Sequence, residues 1–207
     1  LHTAASRVAA LDMGLVTDGG VEGILSGAES GDVKVIYNLG ADEVDRNRLK
    51  KAFVIYQGSH GDEGVRSADV VLPGVAYTEK PGTYLNTEGR VQKAQRAIFG
   101  PGEAREDWTI FRALSEVIGK TLSFDDIAEL RAAMTKDYPA FAQLDRKPTA
   151  PWADIGVAGN VSKDGFTHAI TDFYGTNPIA RSSKTMDECR DAMNDAGQTK
   201  GATGTNG

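Results

Sequence analysis

The chain has 207 residues, of which 40% are hydrophobic and 25% charged, and carries a net charge of −6. That length suits one domain with an extended tail, or two small domains, and the composition is too apolar for general disorder. The acidic balance, with no basic run to offset it, argues against a nucleic-acid binder, and no membrane-length apolar stretch or signal peptide is visible.

Residues 1–13 place Leu1, Ala4, Ala5, Val8, Ala9 and Leu11 on one helical face, ended by Gly14. Because Leu1 is not Met and already sits inside this pattern, the expectation is a piece of something larger, or one half of a split subunit. Residues 15–32 hold Gly19, Gly20, Gly23, Gly27 and Gly31 and read as a connector with one helical turn near residues 21–25. Residues 33–40 form an apolar run into Gly40, as a buried strand does. Residues 42–51 begin acidic and end basic, which predicts a helix matched to its macrodipole. Residues 53–57 give a second strand, 61–67 a short helix and 69–72 a third strand stopped by Pro73-Gly74. This rhythm predicts parallel βαβ units. Residues 73–92 show no clean period and read as a long functional or self-braced loop, followed by a short extended piece at 91–98.

Trp108, Phe111, Leu114, Ser115 and Ile118 recur at helical spacing, and Ser123 is the expected N-cap of a further helix over 124–136. From 139 to 171, prolines and scattered glycines predict an extended arm. Asn177-Pro178 reads as an N-cap with proline at the first helical position, opening one amphipathic helix over 179–193. Residues 197–207 are polar and glycine-rich and read as a frayed tail.

Cys189 is the single cysteine, so these residues alone build no disulfide, cysteine-ligated cluster or structural zinc site. His2, His60 and His168 lack metal-ligand spacing. The glycine-rich stretch 58–64, with His60, Asp62 and Glu63, invites a phosphate-binding reading at a helix start. Carboxylates there serve equally as macrodipole partners, and this is the favoured reading. His60 reads as a loop hydrogen-bonder rather than a general base, and Cys189 as structural rather than reactive. For Glu79-Lys80 and Glu88/Arg90 the residues leave ligand binding and mutual bracing equally open.

Ala68-Asp-Val-Val-Leu-Pro73, followed by Glu79-Lys80, Gly82-Thr83, Asn86, Glu88, Arg90 and Gln92, resembles the signature loop of the molybdopterin oxidoreductase superfamily. More narrowly, Tyr77-Thr-Glu-Lys80 and Asn86-Thr-Glu-Gly-Arg90 are similar to the large iron–sulfur subunit of respiratory complex I (NADH:ubiquinone oxidoreductase). So are residues 2–11, Leu39-Gly-Ala-Asp42, Ile55-Tyr-Gln-Gly-Ser-His-Gly-Asp62, Ala104-Arg-Glu-Asp-Trp108, Asp172-Phe-Tyr174 and Ala180-Arg-Ser-Ser-Lys-Thr-Met186. The matches run in order over nearly the whole chain, least well over 139–170.

This resemblance implies the C-terminal part of that subunit. The fold expected is α/β, a parallel sheet flanked by helices in three α/β/α layers, over residues 1–138. An extended arm and C-terminal helix follow over 139–196, then a flexible tail over 197–207. It implies a scaffold without catalytic, cofactor-binding or metal residues of its own, including no pterin contact at Gly82, Asn86 or Arg90. Iron–sulfur clusters belong to a missing N-terminal part. The partners implied are the remainder of the subunit and neighbouring peripheral-arm subunits, with no nucleic acid and no direct membrane insertion. The place implied is the matrix side of the mitochondrial inner membrane, or the cytoplasmic face of a bacterial one. The rival readings are a cofactor-binding segment of an active, formate-dehydrogenase-like molybdopterin enzyme and an isolated nucleotide-binding module.

Overall fold

Three short apolar runs lie side by side in the structure, a computed structural model that describes residues 7–154, 156–165 and 172–203. Helices α1 (Arg7–Asp12) and α2 (Gly20–Ser30) lead into strands β1 (Val35–Leu39) and β2 (Phe53–Gly58). The short helix α3 (Glu63–Arg66) then leads to β3 (Val70–Pro73). The strands are parallel in the order β1-β2-β3, with Val35 opposite Phe53 and Ile55 opposite Val70, as the βαβ rhythm predicts.

Side chains alternate between the two faces of the sheet. Ile36 and Val54 point to one face, where they pack with Leu25 of α2, Leu49, Val44 and Ala68. The predicted connector over 15–32 is therefore an 11-residue helix. Its glycines cost up to about 1 kcal/mol each in helix propensity, but burial of Leu25 and Ala28 against the sheet offsets this. Gly27 is needed there because a Cβ would overlap Val33, and Gly31 ends the helix in the left-handed region at φ 89°. Arg48 clamps the outside of α2 by pairing with Glu22 and Glu29, and its hydrogen bond lowers the Glu22 carboxyl to about 2.

The predicted helix over 42–51 is only a 3-10 turn, Arg46–Leu49. Asp45 caps it by accepting the Asn47 N–H at 2.9 Å, whereas Asp42 is buried and turned toward Arg181 instead of a helix end. A charge gradient that looked like dipole matching thus serves two separate contacts.

The aperiodic reading of 73–92 is also corrected. A 3-10 turn, Tyr77–Glu79, precedes an antiparallel hairpin of β4 (Gly82–Leu85) and β5 (Val91–Ala94). Helix α4 (Asp107–Val117) lies against the second face of the sheet, where Phe111 and Tyr37 rings sit 5.0 Å apart. Helices on both faces make the α/β/α layering. Helix α5 (Ile127–Asp137) starts later than predicted, because Asp126 rather than Ser123 accepts the Ala128 and Glu129 N–H groups. It packs toward the hairpin, where Leu85, Val91 and Phe141 form a second core with Val8, Met13, Met134 and Leu144.

Residues 146–154 and 156–165 carry no regular structure, and Trp152, Val157 and Val161 are 92%, 97% and 93% exposed. Asn177 caps α6 (Pro178–Arg181) through the Ala180 N–H, as its sequence predicts. The single helix expected over 179–193 is broken, however. Ser183 starts a new helix, α7 (Lys184–Thr203), by accepting the Asp187 N–H on its carbonyl at 3.1 Å. Helix α7 continues through Thr203, into the stretch expected to be a tail. His2 and His168, and residues 2–6 of the stretch at 2–11, lie outside the described residues.

Helix α3 is held by a side-chain contact from the strand before it. Tyr56 donates to Asp62 Oδ2 at 2.5 Å, and the Gly64 N–H donates to Asp62 Oδ1 at 2.9 Å. A Cβ on buried Gly64 would overlap the Tyr56 ring, which is itself fully buried. Gly64→Ala is therefore expected to cost ~1–3 kcal/mol in urea unfolding, although alanine is the better helix former. A neutral or stabilising result would contradict this packing.

Candidate functional site

In an open parallel sheet, crossover connections leave a crevice outside the carboxyl ends of the strands. Two polar clusters meet there in this chain. The first is centred on Gln57, the penultimate residue of β2, which is 0% exposed. Tyr37 of β1 donates its hydroxyl hydrogen to Gln57 Oε1, and Gln57 Nε2 donates to Asp107 Oδ1 at 2.6 Å. Lys80 pairs with the other oxygen of Asp107. Asp107 occupies the first turn of α4, where the helix favours a negative charge. Burial, then the Asp107 charge, raise the Tyr37 pKa, which keeps its hydroxyl a donor. A Cβ at Gly74 would come within 3.0 Å of the Asp107 carboxylate, so glycine there makes room for the network.

The second cluster lies beyond β1. Asp42 is 7% exposed, and Arg181 Nε donates to its Oδ2 at 2.7 Å while Nη2 takes the other oxygen. The Asn38 carboxamide donates to the Ala41 carbonyl at 2.7 Å and shapes the turn that carries Asp42. The hydrogen bond with Asp42 raises the Arg181 pKa further. Burial, then the bond to Asp62, push the Tyr56 hydroxyl upward.

These contacts decide what the residues singled out in the sequence are doing. Within 58–64, the amide at the start of α3 is taken by the Asp62 carboxylate, which occupies the place a phosphate would need. His60 Nδ1 lies 2.9 Å from Ser59 Oγ. Glu79 accepts the Ala76 N–H at 2.8 Å, and Lys80 is committed to Asp107. Asn86 Oδ1 accepts the Glu88 and Arg90 N–H groups at 3.0 Å each and so closes the hairpin turn, with Gly89 at φ 79°. Arg90 pairs with Glu88 at 3.2 Å and donates to the Asp145 carbonyl at 2.6 Å. Gly82 starts β4, and a Cβ there would overlap the Tyr84 ring. Cys189 is partly buried on α7, and its neighbour Arg190 is turned to Asp187 and Asp172. Among the described residues, no group of His, Cys, Asp and Glu has the geometry to hold a metal, and no buried side-chain polar atom lacks a partner.

The residues that sequence reasoning missed are Gln57, Asp107, Asp42 and Arg181. Gln57 and Asp107 left a faint signal, a polar residue ending an apolar strand and an acid opening a helix. Arg181 and Asp42 lie in stretches that carry the family resemblance, but nothing signalled their pairing, since they are 139 positions apart.

Replacing Gln57 with leucine strands the Tyr37 hydroxyl and the Asp107 carboxylate together. Gln57→Leu is expected to cost roughly 2–4 kcal/mol by chemical denaturation, and Tyr37→Phe about 1 kcal/mol. The double variant should cost less than the sum, because both act on one network; strict additivity would contradict the link.

Residues 1–117 match the family model described as Molybdopterin oxidoreductase, and residues 147–189 match the model for the C-terminal part of an NADH-ubiquinone oxidoreductase subunit. The chain is 41% identical over 192 residues to the NADH-ubiquinone oxidoreductase 75 kDa subunit of Reclinomonas americana, covering 91% of this chain and 28% of that protein. It is 46% identical over 200 residues to the mitochondrial NADH-ubiquinone oxidoreductase 78 kDa subunit of Candida albicans, covering 91% and 27%. It is 38% identical over 192 residues to an NADH-quinone oxidoreductase subunit of Rickettsia felis, covering 93% and 27%. The chain thus spans just over a quarter of the length of these relatives. The signature loop, the helix-flanked parallel sheet and the match over 1–117 agree: this chain belongs to the molybdopterin oxidoreductase family.

Proposed function

We propose that this chain is a scaffold segment of the large iron–sulfur subunit in the peripheral arm of respiratory complex I. In this reading, electrons pass from NADH to quinone through iron–sulfur clusters that other residues hold. The segment's work is mechanical: it packs against the remainder of its subunit and against neighbouring peripheral-arm subunits. Similarity to subunits of NADH-ubiquinone and NADH-quinone oxidoreductase over more than nine-tenths of the chain supports it.

The observation that carries the reading is that the signature loop spends its charges internally. Lys80 is bound to Asp107, Glu79 to a backbone amide, and Arg90 to Glu88 and the Asp145 carbonyl. Pterin cofactors of this family are phosphate-bearing anions, and the residues at the carboxyl edge do not fit one. Asp42, Asp62 and Asp107 crowd that edge with carboxylates, which repel an anion. The two cations beside them, Lys80 and Arg181, are already paired with carboxylates.

Exposed apolar side chains suit the packing role. Val35, Phe53 and Val70 on the sheet, with Val117 at the end of α4 and Ile118 just after it, are left to solvent. The occupant we assign to them is the rest of the same subunit, which the greater length of the relatives provides. Among the described residues no helix is long and apolar enough to cross a membrane. Association with the matrix side of the mitochondrial inner membrane, or with the equivalent bacterial face, would then run through other subunits.

The test separates assembly from chemistry. Glu88→Ala or Arg90→Ala in the native subunit should lower the amount of assembled complex several-fold on native gels, as a stability loss of ~1–2 kcal/mol does in cells. NADH oxidation per assembled complex should stay unchanged. Normal assembly with lost electron transfer would contradict the proposal.

A further inference from the structure

We propose that the carboxyl end of β1 is a guanidinium-binding crevice, and that residues 172–190 form a plug that fills it in cis with the side chain of Arg181. This goes beyond the scaffold reading and stands on the geometry of the chain alone, whichever complex the chain serves.

The seat is built from residues that are local to the end of β1. Gly40 turns the chain at φ 62°, and its N–H donates to the Gln57 carbonyl at 2.8 Å. Asn38 bonds to the Ala41 carbonyl, and Asp42 is presented from that turn with its carboxylate almost fully enclosed. The guanidinium uses all of its nitrogens. Nε and Nη2 grip the two Asp42 oxygens side by side, while Nη1 donates to Glu43 Oε1 at 2.9 Å and to the Gly175 carbonyl at 2.5 Å. Side-by-side pairing of this kind needs the planar fork of a guanidinium, which an ammonium group lacks. The Asp62 carboxylate, held by Tyr56, adds its charge from β2's side.

The plug is folded around the same contact. Gly175 is buried, its N–H donates to Asp172 at 2.8 Å, and Asn177 caps the helix that carries Arg181. The seat belongs to the stretch that matches the molybdopterin oxidoreductase model, residues 1–117, and the plug to the separate match over 147–189. A second module thus places a cation where open α/β sheets take their ligands. It follows in sequence the exposed residues 146–154 and 156–165, and the start of that stretch is held at Asp145 by the Val91 carbonyl and Arg90.

The intact protein is compared with Arg181→Ala and with the double variant Asp42→Asn/Arg181→Ala, using methylguanidinium chloride as the probe in calorimetry. Arg181→Ala should bind methylguanidinium saturably in the millimolar range, and the wild type and double variant should not. Limited proteolysis within residues 146–181 should run on the order of tenfold faster in Arg181→Ala, since removing one partner of an enclosed ion pair is costly. No binding beyond the double variant, or an unchanged cleavage rate, would overturn the proposal. Should Arg181→Ala fail to accumulate, Arg181→Lys should still speed cleavage, and cleavage at the wild-type rate would overturn it equally. Hydrogen exchange on the wild type gives a further check: amides of residues 174–181 should exchange more slowly than those of 146–154, and equal rates would count against the plug.

Discussion

A glutamine with no exposed surface has an acceptor and donors that must all find partners inside the protein. Gln57 meets that demand by joining three elements: a tyrosine from β1, its own strand β2, and the first turn of α4. An unsatisfied group in its place would cost ~1–3 kcal/mol, a large fraction of the stability of a domain this size. An apolar residue of similar volume would fill the space but would leave the Tyr37 hydroxyl and one Asp107 oxygen without this partner. The directional bonds fix where α4 begins, and Asp107 in turn fixes Lys80 and the loop that carries it. Register of the helix and conformation of the loop therefore share one cause.

The same demand shapes the carboxyl edge of the sheet. Carboxylates gather there, yet they do not stand open to solvent or to a ligand. Asp107 is balanced by Lys80, Asp42 by Arg181, and Asp62 is turned to the Tyr56 hydroxyl and the Gly64 amide of α3. The edge is a set of closed pairs, which suits a part that transmits shape rather than one that exchanges a cofactor. The hairpin core of Leu85, Val91 and Phe141 depends on the loop in the same way, since Asn86 and Arg90 close its turn and tie it to residue 145.

What was legible in the sequence is what local physics decides. Strands β1 to β3 read clearly because each is a nearly continuous apolar run, the pattern of parallel strands with helices on both faces. Helix α4 showed its spacing, and Asn177-Pro178 announced α6. Helix α2 was hidden by glycines whose cost is met by tertiary packing of Leu25 and Ala28. Strand β5 falls within the extended piece read at 91–98, but its pairing with β4 was hidden because only Leu85 and Val91 of the two strands are buried, too few to show a period of two. For the site, Lys80 and the glycine-rich stretch after β2 were visible as residues, but their roles lay in partners 27 and 2 positions away. The turn at 42–51 misled because Asp42 answers to a guanidinium from the far end of the chain.

The central claim is that the signature loop persists as a brace, its charges satisfied within the chain and not by a cofactor. Elemental analysis of the purified parent protein, combined with pterin fluorescence, tests this most directly. The account predicts iron without stoichiometric molybdenum or tungsten, and no pterin signal. One molybdenum or tungsten per polypeptide, released together with a pterin, would contradict it.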